Sequence, residues 1–308
     1  MATINPRVDV TFKKLFGVEE NKDLLISLIN SIVSDDDQVK DVHILNPYNI
    51  QNFKNDKLSI LDIKAKGHND KLFNIEIQIS DEADYDKRAL YYWAKLYTGQ
   101  LKERGQYSEL NKAIGIHILN FLSIRESDQY HNVFHITEKE EGFKYFKDLE
   151  LHTIELNKFE KGIDDDFQTL LSRIKSKIDM WAAFLTKYDL LDSQKSSLPT
   201  DSQDIEKALH VINVMTYTDE EQQAYDEHLK WLRHEASFGK KKYQDGIIKG
   251  REEGREEGRE EGREEGREEG REEEKLAIAK NLLSQNIDIQ AISSATGLSI
   301  SDIEKLKS

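Results

Sequence analysis

The stretch LSILDIKAKGHNDKLFNIEIQIS, residues 58–80, decides the fold of this chain. Two apolar runs rich in isoleucine flank the polar segment GHND, a pattern that predicts two strands joined by a short turn. Because successive side chains of a strand point to opposite faces, each run has one aliphatic face. The aliphatic side chains that can enter one core are those of Leu61, Ile63, Ala65, Ile75, Ile77 and Ile79.

The opposite face of this predicted hairpin is polar and charged. It carries Asp62 and Lys64 on the first strand, and Glu76 and Gln78 on the second. Two carboxylates held close on neighbouring strands repel, and one of them takes up a proton unless a cation lies between them. Oxygen ligands without cysteine or paired histidine suit Mg²⁺ or Mn²⁺. This face therefore indicates either a divalent metal site or an ordinary exposed sheet surface with mixed charges.

The composition excludes several classes of protein. The 308 residues contain no cysteine, which rules out disulfides, thiolate zinc sites and cysteine nucleophiles. No apolar run approaches the roughly 18 residues of a membrane span. The first residues, MATINPRVDVTFKKLFG, lack the apolar segment of a secretory signal. We therefore expect a cytoplasmic protein that does not bind a membrane.

The charge of the chain is unevenly distributed. The net charge is −15, which by itself argues against nucleic acid as a partner. Residues 1–125 contain 17 Lys and Arg against 18 Asp and Glu, whereas the rest of the chain contains 27 against 41. The acidity therefore lies in the C-terminal part, and the nearly neutral N-terminal part remains compatible with a basic surface around an acidic metal site.

Hydrophobic periodicity predicts an α/β domain followed by helices. A helix over 6–33 with a break at Gly17 precedes strand 39–45, the hairpin, and a helix over 86–104 that ends near Gly105. Further strands are predicted at 113–121, 133–137 and 149–156, a helix at 168–188, a linker at 198–199, and mostly helix over 202–249. We divide the chain into a core (1–160), a helical extension (161–249), a repeat arm (250–274) and a small helical unit (275–308).

The repeat arm consists of REEG repeated over residues 251–270. Four residues advance about 400° on a helix, so the glycines form a slowly winding stripe. Each glycine destabilises the helix by about 1 kcal/mol relative to alanine, whereas each Glu placed three residues before an Arg stabilises it by a few tenths of a kcal/mol. Two alternatives stay open: a solvated acidic arm, or a helix that forms a homodimer through its glycine stripe.

The last segment, residues 276–308, is predicted to form three short helices. Breaks fall at 285–286 and 297–298, with Ser299 or Ser301 as an N-cap, and the outline resembles a helix-turn-helix. The last helix has no net charge, whereas helices that read a major groove usually bring Arg, Asn or Gln to the bases. Packing or protein binding is one alternative for this unit, and DNA reading is the other.

The hairpin motif resembles a known family. A hydrophobic-Asp strand, a turn, and hydrophobic-Glu-hydrophobic-Gln on the next strand resemble the active-site hairpin of PD-(D/E)XK nucleases. Three further stretches resemble the transposase-like branch of that superfamily, the recombination-promoting nucleases: VDVTFKKLFG (8–17), RALYYWAKLYTGQLKERGQY (88–107) and AIGIHILNF (113–121). The resemblance covers about residues 5–121.

This resemblance implies a restriction-endonuclease-like core, a mixed central sheet flanked by helices, with a helical extension and a small helical unit after it. It implies that Asp62 and Glu76 bind the metal. Gln78 occupies the position where the family commonly has Lys, so Lys64 on the adjacent strand is a candidate for supplying the missing positive charge. The alternative is that Lys64 is simply a solvated surface lysine. Asp9 is either a further metal ligand, or an N-cap or first-turn acid favoured by the dipole of the first helix.

The resemblance further implies a metal-dependent DNA endonuclease that uses Mg²⁺ or Mn²⁺ and promotes DNA breakage or recombination. The alternative is a catalytically weak or inactive DNA-binding or oligomerising module. On the helix after the hairpin, Arg88 is a candidate for holding a phosphate, and Tyr92 and Gln100 are candidates for lining a groove. The alternative for all three is an ordinary position on the helix surface. His117, within an apolar strand, is predicted to be a core residue.

Overall fold

The computed structural model describes residues 4–48, 62–79, 84–163, 166–200 and 202–306, and the side chains of residues 62, 231–246 and 248 lie outside this description. The chain divides into two compact units, Met1–Glu235 and Ala236–Ser308. No helix of the described ranges is long and apolar enough to cross a membrane. The cytoplasmic location and the four-segment division stay predictions.

The first unit is built on a mixed β-sheet. The strands of the described residues are β1 (Val42–Ile44), β2 (Asp62–Gly67), β3 (Leu72–Gln78), β4 (Ala113–Leu119), β5 (His131–Phe134) and β6 (Leu149–Glu155). Their order across the sheet is β1-β2-β3-β4-β6-β5. The pairs β3–β4 and β4–β6 are parallel, and the other pairs are antiparallel. The predicted mixed sheet is therefore confirmed.

Helices flank this sheet and continue after it. Those of the described residues are α1 (Asp9–Phe16), α2 (Lys22–Ile32), α3 (Tyr85–Thr98), α4 (Leu156–Glu160), α5 (Phe167–Arg173), α6 (Lys177–Ser193), α7 (Gln203–Val214), α8 (Asp219–Ser284), α9 (Ile289–Thr296) and α10 (Ile300–Lys305). The predicted break near Gly17 is confirmed, since it separates α1 from α2. Parallel strands need a crossover connection, and α3 lies in the one between β3 and β4.

One face of the sheet forms the main core with α1, α2, α6 and α7. The aliphatic face predicted for the hairpin enters this core, with Ile63, Ile75 and Ile77 at most 2% exposed. Ile116 and Ile118 of β4 extend the same layer. Burying each such side chain contributes about 1.5–3 kcal/mol, which makes a one-residue slip of the hairpin costly. Leu61 lies outside the described residues.

The opposite face of the sheet is covered by α3. The ring of Tyr85, at the start of this helix, packs on Leu119 and Phe121. Farther along, the indole Nε1 of Trp93 donates to the backbone oxygen of Ala113 at 2.7 Å. The helix therefore lies over β3 and β4, on the polar face of the hairpin.

The boundary predicted for α3 is wrong. The helix expected over 86–104 ends at Thr98, and the Gly99 N–H donates to the carbonyl of Lys95 at its end. Immediately afterwards, the side chain of Gln100 donates to and accepts from the main chain of Asn111, both at 2.9 Å. These two bonds turn the chain toward β4 before another helical turn can form.

The single helix predicted over 168–188 is also wrong, because two helices occupy this region. α5 ends at Arg173, and α6 begins after Ser176, whose hydroxyl accepts a hydrogen bond from the N–H of Asp179. This N-cap satisfies an N–H group that a continuous helix would have paired internally. The strand predicted at 133–137 is displaced and lies at 131–134 as β5.

The second unit contains the rest of α8 with α9 and α10. A small core of Ala279, Ile292, Leu298 and Ile303 holds the three helices together. The predicted breaks are confirmed: α8 ends at residue 284, and residue 297 is a glycine with φ of 73°. Ser299 caps α10, as predicted. The REEG repeats are helical and exposed within α8.

Candidate active site on the hairpin

The hairpin of β2 and β3 has the register that the sequence predicts. Asp62 lies opposite Glu76, and Lys64 lies opposite Asn74. Directly opposite positions of an antiparallel pair share one face of the sheet. The backbone therefore sets the two acidic positions side by side on the face beneath α3.

The turn between these strands depends on glycine. The Gly67 N–H donates to the carbonyl oxygen of Lys71 at 2.9 Å. A Cβ at Gly67 would lie only 2.7 Å from a methyl carbon of Val39 and from Oδ1 of Asn69, so any side chain there would displace these two neighbours. Asp70 adopts a φ of 62° and pairs with Lys66 at 2.6 Å. Turn chemistry and core packing thus fix the register together.

The polar face of β3 is buried. Asn74, Glu76 and Gln78 are 1%, 2% and 3% exposed. The interpretation of this face as an ordinary exposed surface is therefore wrong for β3. Burial of an acid and two amides on one strand carries a cost that needs compensating polar partners.

Glu76 lies within a network formed by α3 and β4. Its Oε1 accepts a hydrogen bond from Nη2 of Arg88 at 3.2 Å. Its Oε2 lies 3.7 Å from Nδ1 of His117, which is its register neighbour on β4. The Tyr85 hydroxyl lies 2.8 Å from the same Nδ1, and the Arg88 guanidinium lies 5.2 Å from the Tyr85 ring centroid. Glu76 thus has a cation on one side and a buried imidazole on the other.

The imidazole of His117 stays neutral at physiological pH. Burial, and to a lesser degree the positive charge of Arg88 and the electrostatic interaction with His152, lower the pKa of His117 to about 4. The prediction that His117 is a core residue is confirmed by its 1% exposure. It is also a neighbour of Glu76, which the sequence did not indicate.

The other helix residues singled out in the sequence lie in different surroundings. Arg88 contacts Glu76 and is only partly exposed, so it is not a plain surface residue. The amide of Gln100 holds the backbone of Asn111. Tyr92 is half-buried and lines a cleft together with Lys64 and Gln100.

Asp9 is the first residue of α1 and is 7% exposed. The N-cap position belongs to Val8, so Asp9 is a first-turn acid and not the cap. Tyr48 is a neighbour: burial, then Glu221, and finally Asp9 raise the pKa of the Tyr48 hydroxyl. The role of Asp9 as a metal ligand stays a prediction.

Three residues of this site were missed by sequence reasoning: Tyr85, His117 and Asn74. Both amide atoms of Asn74 are buried with no hydrogen-bond partner among the described residues. Strand alternation places Asn74 beside Glu76 and was available from the sequence. The contacts of Tyr85 and His117 depend on how α3 and β4 pack on β3, which no local pattern reports.

The donor set of this face fits a hard divalent cation. It offers the carboxylate of Glu76 and the buried amide oxygen of Asn74, with an aspartate opposite Glu76 in register. Such oxygen donors suit Mg²⁺ or Mn²⁺. Among the described side chains, no group of three His, Asp or Glu residues is arranged to hold a metal, and the side chain of residue 62 lies outside that description.

A mixed sheet flanked by helices, with paired acidic positions on its central hairpin, defines an α/β fold of the restriction-endonuclease type. The family model of PD-(D/E)XK nuclease family transposases matches residues 6–241. The chain therefore belongs to this family, and the resemblance found in its sequence is confirmed. Searches of curated proteins and of solved structures found no match.

Membership of this family supports a nuclease-like function with DNA as the substrate. PD-(D/E)XK nucleases generally use divalent metals. The ion used by this chain and the role of each residue on the hairpin face belong to the proposal that follows.

Proposed function

We propose that this chain is a metal-dependent DNA endonuclease that hydrolyses phosphodiester bonds. The observation that carries the proposal is the hairpin register, which sets Asp62 opposite a buried Glu76. We assign Mg²⁺ or Mn²⁺ to Asp62 and Glu76, with Asp9 as a further ligand. When bound, such an ion polarises a phosphoryl oxygen and lowers the pKa of a coordinated water.

Gln78 and Lys64 assist in this proposal. Gln78 lies two residues beyond Glu76 on the same strand face, where its amide can orient a water molecule or a phosphate oxygen. An amide has no charge, so Gln78 does not replace the lysine that is common at this position in the family. Lys64, half-buried on the adjacent strand, supplies positive charge to the transition state.

Arg88, His117 and Tyr85 position Glu76. Arg88 fixes one carboxylate oxygen, and the neutral ring of His117 lies against the other. Tyr85 in turn hydrogen-bonds His117. A carboxylate held from two sides loses rotamer freedom, which preorganises it for its ligand.

We assign the DNA breakage to a recombination-like or mobile-element setting, which the family's transposase description supports. One observation favours a second candidate, a weak or inactive DNA-binding or oligomerising module. The Arg88 guanidinium already compensates the charge of Glu76 at 3.2 Å. An inert scaffold would keep this ion pair and bind no metal.

Calorimetric titration with Mn²⁺ distinguishes the two candidates. We expect the wild-type chain to bind Mn²⁺, and Asp62→Asn to weaken binding at least tenfold because a ligand charge is removed. Asp70→Asn is the matched control, since Asp70 lies in the exposed turn of the same hairpin and tolerates its positive φ equally well as asparagine. Equal Mn²⁺ affinity of the wild type and Asp62→Asn would contradict the metal assignment.

A further inference from the structure

A cleft lies on the polar side of the hairpin, between β2 and the C-terminal half of α3. Its volume is about 580 Å³, and its walls come from both elements and from the loop that follows α3. Lys64 and Lys66 line it from the sheet, and Lys95 and Lys102 line it from the helix side. Tyr92 contributes an aromatic ring to the same wall.

The charge of this cleft opposes that of the whole chain. The chain carries −15, yet four lysines line the cleft against one carboxylate, that of Glu109. Lys66 also pairs with Asp70, outside the lining, at 2.6 Å. Lys95 and Lys102 are exposed, so their ammonium groups are available to a ligand at little desolvation cost. Converging lysines in a concave surface attract anions, phosphates in particular.

The lining also contains a surface suited to bases. Tyr92 is half-buried, and Leu72 and Leu96 add apolar area beside it. Tyr91 packs edge-on against Tyr92 with ring centroids 5.7 Å apart and is itself 61% exposed. Grooves that bind single-stranded nucleic acid combine these two features, basic side chains for the backbone and aromatic rings for the bases.

The cleft and Glu76 are built on the same elements. α3 contacts Glu76 through Arg88 in its first turn, and its last turns line the cleft beside Leu72, at the other end of β3. On β2, Lys64 lies two residues from the position opposite Glu76. A strand held in the cleft would therefore lie on the same hairpin and helix that carry the acidic site.

We propose that this cleft binds a single strand of DNA, with its phosphates on Lys64, Lys66, Lys95 and Lys102 and a base stacked on Tyr92. The inference rests on the proposed nuclease function and names the form in which the substrate reaches it. The size supports one strand, since 580 Å³ falls in the range of small-ligand pockets and a duplex does not enter such a volume. The chain accordingly prefers single-stranded or frayed DNA.

The test is fluorescence anisotropy of the full chain with a labelled 12-nucleotide oligothymidylate and with a 12-base-pair duplex, both in EDTA. We expect tighter binding of the single strand. The double variant Lys95→Glu/Lys102→Glu should weaken it at least tenfold and lower the salt dependence, since each phosphate contact on a single strand contributes about 0.7 to the slope. Tyr92→Leu should weaken it roughly fivefold or more.

Lys139→Glu/Lys144→Glu is the matched control, because both lysines are exposed on the segment between β5 and β6 and the change in charge is the same. We expect this control pair to change the affinity for the single-stranded oligonucleotide less than threefold. Equal losses for the two double variants, or a wild type that prefers the duplex, would overturn the inference.

Glu76→Gln separates this inference from the proposed function. Retained oligonucleotide binding with no cleavage by any form of the chain would refute the nuclease and leave the cleft standing. Cleavage that depends on Glu76 but not on Lys95 and Lys102, together with oligonucleotide binding that these two lysines do not affect, would refute the cleft alone.

Discussion

Glu76 is held by interactions that a buried carboxylate requires. At 2% exposure it has lost nearly all contact with water, and Arg88 supplies a charge-assisted hydrogen bond in exchange. Removing one partner of a buried ion pair typically costs about 3–5 kcal/mol, because the other charge stays buried. Substitutions at Arg88 therefore affect folding as well as the site, whereas Glu76→Gln keeps the side-chain shape and a hydrogen-bond acceptor for Arg88, whose side chain is 25% exposed.

A second buried polar network joins β5 and β6 to Lys112, the residue just before β4. Nε2 of His152 donates to Oε1 of Glu150 at 2.8 Å, and its Nδ1 forms a hydrogen bond with Nε2 of His131 at 2.9 Å. Glu150 also accepts from Lys112, which donates to Asp37 at 2.7 Å. Although burial opposes the effect, hydrogen bonds from His152 and Lys112 lower the pKa of Glu150 to about 2.

This network makes the stability of the fold depend on pH. Burial, followed by the electrostatic interaction with His152, lowers the pKa of His131 to about 4, against about 6.5 in an unfolded chain. The unfolded state therefore binds more protons between these values, and stability present above pH 6.5 is lost as the pH falls toward 4. For His131 alone the loss between pH 7.5 and pH 5 is about 2 kcal/mol.

His131→Gln tests this dependence, since a Gln side chain can still form a hydrogen bond with His152 but does not titrate. We expect the unfolding free energy of the wild type to fall by about 2 kcal/mol more than that of the variant between pH 7.5 and pH 5, measured by urea denaturation. His43→Gln, at an exposed position on β1, should behave like the wild type. Identical pH profiles for the wild type and His131→Gln would refute the account.

At the scale of elements, the hairpin was predictable because its signals are local. Alternation from Ile63 to Ile77 sets the faces, and the GHND turn with Gly67 sets the register. The split between α5 and α6 was also readable, because Ser176 and Asp179 form the N-cap pattern of a helix start. Helical periodicity continues across this cap, and a prediction that rests on periodicity therefore joins the two helices.

Other contacts had no local signal. The proximity of Glu76 to His117 depends on parallel pairing of β3 with β4, strands that are separated by the whole of α3. The end of α3 at Thr98 depends on Gln100 bonding to the backbone of Asn111. Both are tertiary interactions that override helix propensity and periodicity.

The REEG segment of α8 is a helix with little local support. Glycine is the poorest helix former after proline, and a Cβ built on any of the glycines from 250 to 270 meets no atom within 4 Å. Nothing in the described residues decides between a solvated arm and one that forms a homodimer, so both alternatives remain predictions.

Alanine at glycine positions 254, 258, 262 and 266 tests the arm. We expect slower amide hydrogen exchange over residues 250–274, because each substitution adds about 1 kcal/mol of helix propensity in open space. Asparagine at the same four positions should slow amide exchange clearly less. Unchanged exchange would contradict this view, and a lower mass in sedimentation for the alanine variant would favour a dimer packed along the glycines.

At the scale of the whole molecule, charge is divided between the parts of the chain. Residues 1–125, which contain the hairpin and the lysine cleft, are nearly neutral, whereas residues 250–274 carry 6 Arg against 13 Glu. An acidic segment repels DNA, so any attraction must come from the local surface around the hairpin. The balance explains how a chain of net charge −15 remains compatible with a DNA substrate.

The central claim is that the buried acid of the hairpin makes this chain a nuclease. The most direct measurement is cleavage of supercoiled plasmid with Mg²⁺ or Mn²⁺ and with EDTA, comparing the wild type, Glu76→Gln and, as a control, Glu20→Gln at an exposed position. We expect nicking or linearisation by the wild type and by Glu20→Gln with metal only. The rate of Glu76→Gln should be at least a hundredfold lower, with its fold intact by thermal unfolding. Cleavage by Glu76→Gln at the wild-type rate, or no cleavage by any of the three, would contradict the account.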